Sequence, residues 1–490
     1  MVRKTYETDV MTDLNNFRLL FSILVGATVV SAARAQSPDP WSTYRGNAQR
    51  TASDGQAGPA SPKILWALKS KDNYIASPLP SGNRLYVSGL GAFNTGQFAC
   101  LSTEPNAKTR VLWAKTTPYL KLPTVSSPGV YKDYLIFGDG MHQTNGALLY
   151  CLDAAAGAPV WRHSVPGTLV HLEGSPTIVD GKAYIGGGAG GVLCIEIDKA
   201  TLNQKSHDLP SLQKIMAQAM KDLQAKYEID RKIDKFAIPP NEDNLPKADP
   251  KRLWQEGKDK WHVDAPVSVI GDKVLACSAY LDKEQVGDRA LFCMDTKSGK
   301  VIWRAALKLN PWGGPSVLGD TVVVSGSSIG YDFGVLKGAK GFIAAYDLKK
   351  GELKWHKDIA GGVVACAALS GNSAVVSATD GKVRAFDLAT GERQWIYDAK
   401  MPLFAPVAIA KDTVYVGDLR GVIHAIDLKS GTDPRTASWK VDLGTAKETQ
   451  APGMIYGGPV VSGGRLFVAT CNLQGPNAGK ETVVVCIGDK

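Results

Sequence analysis

The sequence is short of hydrophobic runs, since after its first 35 residues no apolar segment is long enough to cross a bilayer. It has no basic run of the kind that binds nucleic acid, because its formal net charge of +9 is spread along the chain. The HExxH motif of zinc peptidases is absent. A glycine-rich stretch, GGGAGG at residues 186–191, has no helix pattern after it and indicates a hairpin loop rather than a phosphate site.

Cysteine occurs eight times but never as an adjacent pair, a CxxC or a CxxCH motif, so neither a zinc site nor covalent haem is indicated. Five cysteines occupy one recurring position, in YCLD, FCMD, ACLS, LCIE and VCIG, where Cys acts as a small buried hydrophobe in a strand. Equivalent positions of successive repeats point the same way from separate sheets, so we expect structural thiols rather than disulfides. These residues are Cys100, Cys151, Cys194, Cys293 and Cys486.

Residues 1–35 are typical of a secretory signal peptide. Arg18 precedes an apolar run that ends at Ala33, and a small-x-small cleavage site lies just before Gln36. No Cys stands at that site, so a lipid anchor is not indicated. We therefore predict a periplasmic or secreted protein whose folded part is residues 36–490.

A nine-residue pattern recurs with Asp first, Gly fifth and Trp ninth, as in DLATGERQW at residues 387–395. Asp can accept backbone hydrogen bonds and Gly can take the left-handed conformation, so the pattern predicts a tight turn that places Trp in the following strand. Two strands joined by a Gly-containing hairpin precede each turn, and a shorter strand precedes these, which gives four antiparallel strands per unit. The turn residues are Asp153 and Gly157, Asp295 and Gly299, Asp347 and Gly351, Asp387 and Gly391, and, with a later Trp, Asp427 and Gly431.

Eight Trp residues end these units, and most of them stand 40–52 residues apart, with one longer interval after Trp161 that contains an insertion. This period is typical of propeller blades. A blade cannot bury both of its faces alone, so each is expected to present its Trp to its neighbour. We predict an all-β protein, an eight-bladed β-propeller of four-stranded antiparallel blades. The blade-docking residues are Trp66, Trp113, Trp161, Trp261, Trp303, Trp355, Trp395 and Trp439, with Trp254 as the alternative to Trp261.

The two ends of the chain predict how the ring closes. The last unit has three strands and no Trp, whereas the segment KILWALKS around Trp66 is a lone outer strand with no blade before it. The N-terminal strand should therefore complete the last blade and leave no open edge.

Residues 199–260 interrupt the repeat between the third and fourth strands of blade three. An apolar stripe at helical spacing predicts a helix there, with Pro210 suited to its first turn. The insertion is expected to be helical and irregular, on the face opposite the loops that enter the innermost strands. Its stripe either packs on its own domain or docks a partner. The stripe consists of Leu212, Ile215 or Met216, Ala219, Leu223 and Tyr227.

The repeated YxLDxxTGxxxW-like pattern, with WSTYRGNAQRT at residues 41–51, resembles the pyrroloquinoline quinone (PQQ)-like β-propeller repeat family. This family includes quinoprotein alcohol dehydrogenases and the non-catalytic propeller of the outer-membrane β-barrel assembly machinery. The resemblance covers nearly the whole chain outside residues 1–35 and the insertion. It implies the propeller fold but allows either a redox enzyme or an inert scaffold.

For an enzyme, the resemblance implies PQQ held between a Trp and a disulfide of adjacent cysteines, with Ca²⁺ bound by Glu, Asn and Asp beside an Asp base. The chain has no adjacent Cys pair. The matching residue types near the channel are Glu173 and Asp264 for a metal, and these two with Trp312 for a cofactor. The alternative is that these residues have no ligand, because scattered polar residues line any water-filled propeller channel. Asp139 and Asp418 also resemble the residues of hairpin turns. Other polar residues expected on this face are Asp139, His142, His171, His262, Asp418, Arg420, Tyr456 and Asn472.

The favoured hypothesis is an exported, non-catalytic propeller that acts as a protein-interaction scaffold in the cell envelope, without a cofactor. It would bind an envelope protein or protein complex as a monomer and would bind no nucleic acid. The insertion and the lack of a lipid-attachment Cys distinguish it from the assembly-machinery propeller. One alternative is a PQQ- and Ca-dependent quinoprotein dehydrogenase. Another is a carbohydrate-binding propeller in which Trp312 and Tyr456 stack on sugar rings.

Overall fold

Short antiparallel strands make up most of the chain, since β-branched and aromatic residues dominate segments such as TVYVG at residues 413–417. The computed structural model describes residues 41, 43–53 and 55–489. The predicted signal peptide lies outside the described residues. Within them, the strands form eight antiparallel sheets arranged as the blades of a β-propeller, which confirms the predicted fold class.

The strands of the first half follow one another from the innermost to the outermost position of each blade. Before the first blade comes β1 (Lys63–Ser70). Blade one contains β2 (Leu79–Ser81), β3 (Arg84–Leu90), β4 (Gly96–Ser102) and β5 (Val111–Lys115). Blade two contains β6 (Gly129–Tyr131), β7 (Tyr134–Gly138), β8 (Ala147–Asp153) and β9 (Pro159–Val165). Blade three contains β10 (Thr177–Val179), β11 (Lys182–Gly186), β12 (Val192–Leu202), β13 (Lys205–Asp208) and β14 (Asp249–Glu256), with helix α1 (Leu209–Ile233) between the last two. Blade four contains β15 (Ser268–Ile270), β16 (Lys273–Leu281), β17 (Val286–Asp295) and β18 (Val301–Ala306).

The second half repeats the same order. Blade five contains β19 (Pro315–Leu318), β20 (Thr321–Ser327), β21 (Gly341–Asp347) and β22 (Leu353–Ile359). Blade six contains β23 (Ala368–Ser370), β24 (Ser373–Ser377), β25 (Lys382–Asp387) and β26 (Arg393–Asp398). Blade seven contains β27 (Ala408–Ala410), β28 (Thr413–Gly417), β29 (Val422–Asp427) and β30 (Ala437–Asp442). Blade eight contains β31 (Val460–Ser462), β32 (Arg465–Ala469) and β33 (Thr482–Gly488). Short 3₁₀ helices cover Ala92–Asn94, Glu242–Asn244, Phe333–Val335 and Gly475–Asn477.

Four of the turns between third and fourth strands share one hydrogen-bond pattern. In the turn after β25, the N–H of Gly391 donates to the carbonyl of Asp387 at 2.8 Å. The Asp387 carboxylate accepts the N–H groups of Ala389 at 3.0 Å and Thr390 at 2.9 Å. The φ angle of Gly391 is 72°, where a β-carbon is strained. The same backbone bond joins Gly157 to Asp153, Gly299 to Asp295 and Gly351 to Asp347.

The Trp after each turn packs on the next blade. The indole Nε1 of Trp355 donates to the carbonyl of Leu388 at 3.0 Å, and a β-carbon on Gly391 would lie 2.5 Å from Trp355 Cδ2. Glycine in this turn therefore supplies both the backbone conformation and the space for the ring. Every such Trp lies opposite a small residue of the third strand. The pairs are Trp66 and Cys486, Trp113 and Cys100, Trp161 and Cys151, Trp254 and Cys194, Trp303 and Cys293, Trp355 and Ala345, Trp395 and Ala385, and Trp439 and Ala425.

Blade three presents Trp254 to its neighbour, and the prediction of Trp261 was wrong. Trp254 lies on β14, and its Nε1 donates to the carbonyl of Thr296 in blade four at 3.0 Å. Trp261 lies in the loop after β14 and stacks on Phe292, with ring centroids 3.9 Å apart. The insertion removes the regular spacing from which the position of the Trp could be counted.

The turn of blade seven also differs from the prediction. Asp427 still accepts the N–H groups of Lys429 and Ser430, but no atom lies within 4 Å of a β-carbon built on Gly431. The guanidinium of Arg435 lies over the ring of Trp395, 5.3 Å from its centroid. An arginine therefore covers Trp395. Gly431 does not contact this ring, so it is not the turn glycine that the repeat predicted.

The ring closes as predicted, because β1 pairs antiparallel with β33 and completes blade eight. Trp66 lies opposite Cys486, and Ser70 lies opposite Thr482. Trp66 then packs on blade one, where its Nε1 donates to the carbonyl of Thr103 at 3.2 Å.

The helix of the insertion begins after Asp208, whose carboxylate accepts the N–H of Ser211 at 2.9 Å. Its first half packs on blade two, where Trp161 shares a buried cluster with Leu212 and Met216. In this blade the helix packs in the same cluster as the Trp, whereas a glycine turn covers the Trp of blades one, three, four and five. The stripe predicted from the sequence thus packs on its own domain. Ile215, Ala219 and Leu223 pack at its edge and are partly buried.

The N-terminal residues 43–53 fill the centre of the ring. Backbone carbonyls of this segment accept N–H groups from the innermost strands of blades four, five, six and seven. Arg50 is buried, and its guanidinium donates to the carbonyls of Ser175 at 2.9 Å and Val267 at 3.2 Å and to the hydroxyl of Thr177. The open central channel assumed from the sequence is therefore blocked by the chain itself.

All eight cysteines lie within the described residues, and all are free and buried, as predicted. No helix in the described part of the chain is long and apolar enough to cross a membrane.

Candidate functional site

A cavity of about 740 Å³ opens on the propeller face that carries the loops entering the innermost strands. Tyr44, from the segment that fills the ring, contributes to its lining, so the cavity is a closed cup rather than a tunnel. Tyr331 and Tyr456 give part of its wall an aromatic surface. The lining also contains charged side chains, and apolar walls with convergent polar groups are typical of small-molecule pockets.

The structure brings together the three residues predicted for a cofactor. Glu173 lies in the β9–β10 loop, Asp264 in the β14–β15 loop and Trp312 in the β18–β19 loop, and all three line the cavity. Tyr456, in the β30–β31 loop, lines it as well. The binding of a quinone, a metal or a sugar by these residues stays a prediction.

Three histidines surround the carboxylate of Asp264. His171 and His262 each stand six residues before the first strand of their blade, and an acidic residue follows two positions later in both cases. Nε2 of His171 lies 2.7 Å and Nε2 of His262 lies 3.0 Å from the Asp264 carboxylate. His142 comes from the β7–β8 loop, and one ligand atom from each of these four residues lies within 4.8 Å of the others.

Burial and the attraction between opposite charges act in opposite directions on this cluster. It favours the neutral acid of Asp264, but the adjacent His262 and His171 rings hold the pKa of this carboxyl well below its usual range. Burial also opposes the charged form of His171, yet attraction to Asp264 outweighs it and raises the pKa of this imidazole. The side chains of His171 and His262 are fully buried, so this is a desolvated set of interacting groups.

Glu173 holds the loop that carries His142. Its Oε1 accepts the backbone N–H of His142. Burial and the charge of Asp264 raise the pKa of Glu173 to about 7. His142 is the solvent-facing member of the cluster, and burial of part of its ring lowers its pKa.

Several other residues expected on this face have structural contacts instead. The carboxylate of Asp139 accepts the N–H of Leu148 at 2.6 Å across a hairpin. Asp418 does the same in blade seven, where it accepts the N–H of Val422 at 2.9 Å, and it also accepts the N–H of Arg420 at 2.8 Å. Asn472 is buried, and its amide donates to backbone carbonyls of neighbouring loops. Asp139 and Asp418 fit the hairpin interpretation, and none of these three side chains joins the histidine cluster.

The family described as "Outer membrane protein assembly factor BamB" matches residues 46–222 and 333–487. The chain belongs to this family. The match leaves out residues 223–332, which contain His262, Asp264 and Trp312, so only part of the cavity lies in matched sequence.

Members of the BamB family share their fold with redox enzymes. BamB from Moraxella catarrhalis has a TM-score of 0.56 at 13% identity, covering 86% of this chain and 99% of its own. A europium-containing methanol dehydrogenase has a TM-score of 0.59 at 12% identity, covering 92% and 98%. Quinohemoprotein alcohol dehydrogenase from Comamonas testosteroni has a TM-score of 0.57 at 14% identity, covering 94% and 82%. At such identities the likeness shows the fold alone.

One sequence relative is also a redox enzyme. Quinohemoprotein alcohol dehydrogenase ADH IIB from Pseudomonas putida is 33% identical over 109 residues, which are 20% of this chain. The match spans only 16% of the length of the dehydrogenase. A segment of this size is about two blades. The resemblance therefore does not show that this BamB family member has the activity of the whole enzyme.

The cavity of this BamB family member does not fit the calcium–quinone arrangement that the repeat resemblance implies. No two cysteines are adjacent in the sequence and all eight are free, so no disulfide of adjacent residues can face Trp312. Asp264 is contacted by two imidazoles, whereas Ca²⁺ prefers a shell of oxygen ligands. We therefore assign no quinone chemistry to Glu173, Asp264 and Trp312.

Sequence reasoning named the histidines one by one but did not group them. The signal that would have joined them is HLE at residues 171–173 and HVD at residues 262–264, at equal distances from the following strand. The loops that enter the innermost strands of adjacent blades lie side by side near the propeller axis. Residues at equal distances from those strands therefore approach one another. His142 carries no such signal, because its loop has its own length and sequence.

Proposed function

We propose that this BamB family member is an exported scaffold that binds a protein partner in the cell envelope. The family description, an outer membrane protein assembly factor, supports a role in an envelope protein complex. The observation that carries the proposal is the apolar end of the insertion, the segment 229–238, here called the insertion tip.

The insertion tip exposes four large apolar side chains within ten residues. Ile233, Phe236 and Ile238 are 86%, 82% and 85% exposed, and Ile229 is 61% exposed. Isolated apolar residues are common on surfaces, but a cluster of this kind marks an interaction site. The charges around it are nearly balanced, so we infer that the partner contacts it with an apolar protein surface.

The base of the insertion is held firmly on blades one and two. Arg162 and Lys121 contact the carboxylate of Asp243 at 2.8 and 2.6 Å, and Lys115 contacts Glu242 at 2.5 Å. These pairs join strands or loops of the propeller to the segment that follows the helix. The tip therefore projects from an anchored support, which lowers the entropy cost of binding a partner.

Site-specific photo-crosslinking tests this proposal. We would place p-benzoylphenylalanine at Phe236 in cells, irradiate them, and identify the adduct by mass spectrometry. The expected result is one dominant adduct with an envelope protein. The purified partner should then bind the wild-type protein at least about tenfold more tightly than the Ile233→Asp variant, because a charge at an apolar interface is costly.

Leu353 offers a matched control, since it is apolar, 56% exposed and located on β22, outside the insertion. The crosslinker at Leu353 should give no such adduct, and Leu353→Asp should leave binding unchanged. Adducts of equal yield and composition at both positions, or an Ile233→Asp variant that binds as the wild type does, would refute the proposal.

The redox alternative has a separate test. Protein mixed with the quinone and Ca²⁺ should show neither a shift of the quinone spectrum nor dye-linked alcohol oxidation, because the cysteine pair and the oxygen ligands do not match. A stoichiometric spectral shift would restore the enzyme hypothesis. Carbohydrate binding by Trp312 and Tyr456, like the monomeric state and the lack of nucleic-acid binding, stays a prediction.

A further inference from the structure

The histidine cluster has the composition of a transition-metal site. Its four side chains offer three imidazole nitrogens and one carboxylate oxygen, and these atoms lie within 4.8 Å of one another. Zinc binds such a set in tetrahedral geometry with metal–ligand bonds of about 2.0–2.2 Å. In that geometry ligand atoms stand roughly 3–3.5 Å apart. The separations of 2.7 and 3.0 Å from Asp264 to His171 and His262 need only a small adjustment.

The three rings come from three loops, β7–β8 in blade two, β9–β10 between blades two and three, and β14–β15 between blades three and four, yet they meet at one point. Their centroids are 5.2 Å apart for His171 and His262, and 6.0 Å for each of these with His142. Nδ1 of His171 and Nδ1 of His262 are buried without a hydrogen-bond partner in the described part of the chain. The other ring nitrogens, Nε2 of both residues, face the Asp264 carboxylate, so these are the atoms that would bind an ion together with that carboxylate.

An ion can reach the cluster from outside. His142 faces solvent and lines the cavity together with Asp264. Glu173 contributes a supporting contact, because its carboxylate accepts the backbone N–H of His142 and so positions that ligand. The site thus has four donors, an access route and a supporting residue.

We propose that His142, His171, His262 and Asp264 bind one divalent first-row transition ion, of which Zn²⁺ is the probe of choice. Imidazole suits Zn²⁺, Cu²⁺ and Ni²⁺, whereas Ca²⁺ needs six to eight oxygens. The site is independent of the insertion tip. It also differs in ligand type from the oxygen-rich calcium site that the repeat resemblance implies.

Zinc titration of the protein without a polyhistidine tag tests the proposal. After removal of metals with a chelator, the protein should take one equivalent of Zn²⁺ from a chromophoric competitor. Ca²⁺ in large excess should not displace it. Co²⁺ should bind at the same stoichiometry and give the visible absorption of a four-coordinate ion. Zinc should also raise the melting temperature, because it binds only the folded chain.

His142→Ala is the decisive variant, since this side chain is the exposed member and its loss should leave the fold intact. It should lower zinc affinity at least about a hundredfold, and Glu173→Gln should lower it about tenfold. His356→Ala is the matched control, because His356 lies on β22, contacts Asp358 at 2.9 Å and should leave zinc affinity unchanged. Substoichiometric zinc, displacement by Ca²⁺, or a His142→Ala variant that binds zinc as the wild type does would overturn the proposal.

Discussion

Trp254 of blade three covers Gly299 of blade four so closely that a β-carbon on the glycine would lie 2.6 Å from Trp254 Cε3. The indole Nε1 donates to the carbonyl of Thr296 in the same turn at 3.0 Å. One aromatic ring and one glycine thus join two blades, and the contact recurs around the ring. The first prediction concerns this contact.

Gly299→Ala should destabilise the protein through both strain and overpacking. The φ angle of Gly299 is 73°, which costs about 1–2 kcal/mol for Ala, and displacement of the ring adds about 1–3 kcal/mol. Gly271→Ala separates the two effects, because its φ is 56° but no atom lies within 4 Å of the added carbon. Urea unfolding should show the larger loss for Gly299→Ala, and equal losses would contradict the packing argument.

Arg50→Met should lower the free energy of unfolding by at least about 2 kcal/mol. It removes the donor that serves buried carbonyl oxygens of Ser175 and Val267. Limited proteolysis should then cut within residues 41–60 faster than in the wild type. Arg304→Met is the control, because Arg304 forms a surface pair with Asp288 that contributes about 1 kcal/mol or less. Equal stability of Arg50→Met and wild type would show that the N-terminal segment contributes little.

Asp139 should make stability fall as pH rises from about 4 to 6. Burial raises the pKa of its carboxyl to about 6, so the folded chain keeps a proton that the unfolded chain loses near pH 4. The group therefore contributes stability below pH 4, loses up to about 3 kcal/mol of it by pH 6, and adds no slope above. The difference in unfolding free energy between wild type and Asp139→Asn, measured from pH 4 to 8, should follow this curve. Asp282→Asn, a substitution at the surface, should give a flat difference.

The eight thiols should be inert in the folded protein. Burial raises the pKa of Cys100, Cys194, Cys293 and Cys486 to about 12, and thiolate is the reactive form. A chromogenic disulfide reagent should therefore find no fast-reacting thiol until guanidinium exposes all eight. Dithiothreitol should leave the melting temperature unchanged. Rapid labelling of the native protein, or melting at a lower temperature after reduction, would contradict the observed burial.

The fold could be predicted because its signal is local and repeated. Asp387, Gly391 and Trp395 stand at a fixed spacing that a single turn and strand require, and the same spacing recurs along the chain. Closure could also be predicted, since a lone strand around Trp66 and an incomplete last blade can satisfy each other. The role of Trp261 was predicted wrongly because an insertion interrupts the repeat in blade three. The role of Gly431 was predicted wrongly because Arg435 covers Trp395 instead.

The site could be predicted only in part. Glu173, Asp264 and Trp312 were placed near one cavity because the loops before innermost strands share a face. The convergence of His142 with His171 and His262 depends on the lengths and paths of three loops, which no periodic pattern encodes. The filling of the ring by residues 43–53 was also missed, because a segment without repeats gives no indication of where it packs.

Strand β1 is synthesised first, but it pairs with β33, which is synthesised last. A ribosome releases the first strand long before its partner, so an edge of the nascent chain must wait unpaired while every other sheet forms. Truncation of even the last few residues would then remove part of the partner of β1 and leave the ring of blades open.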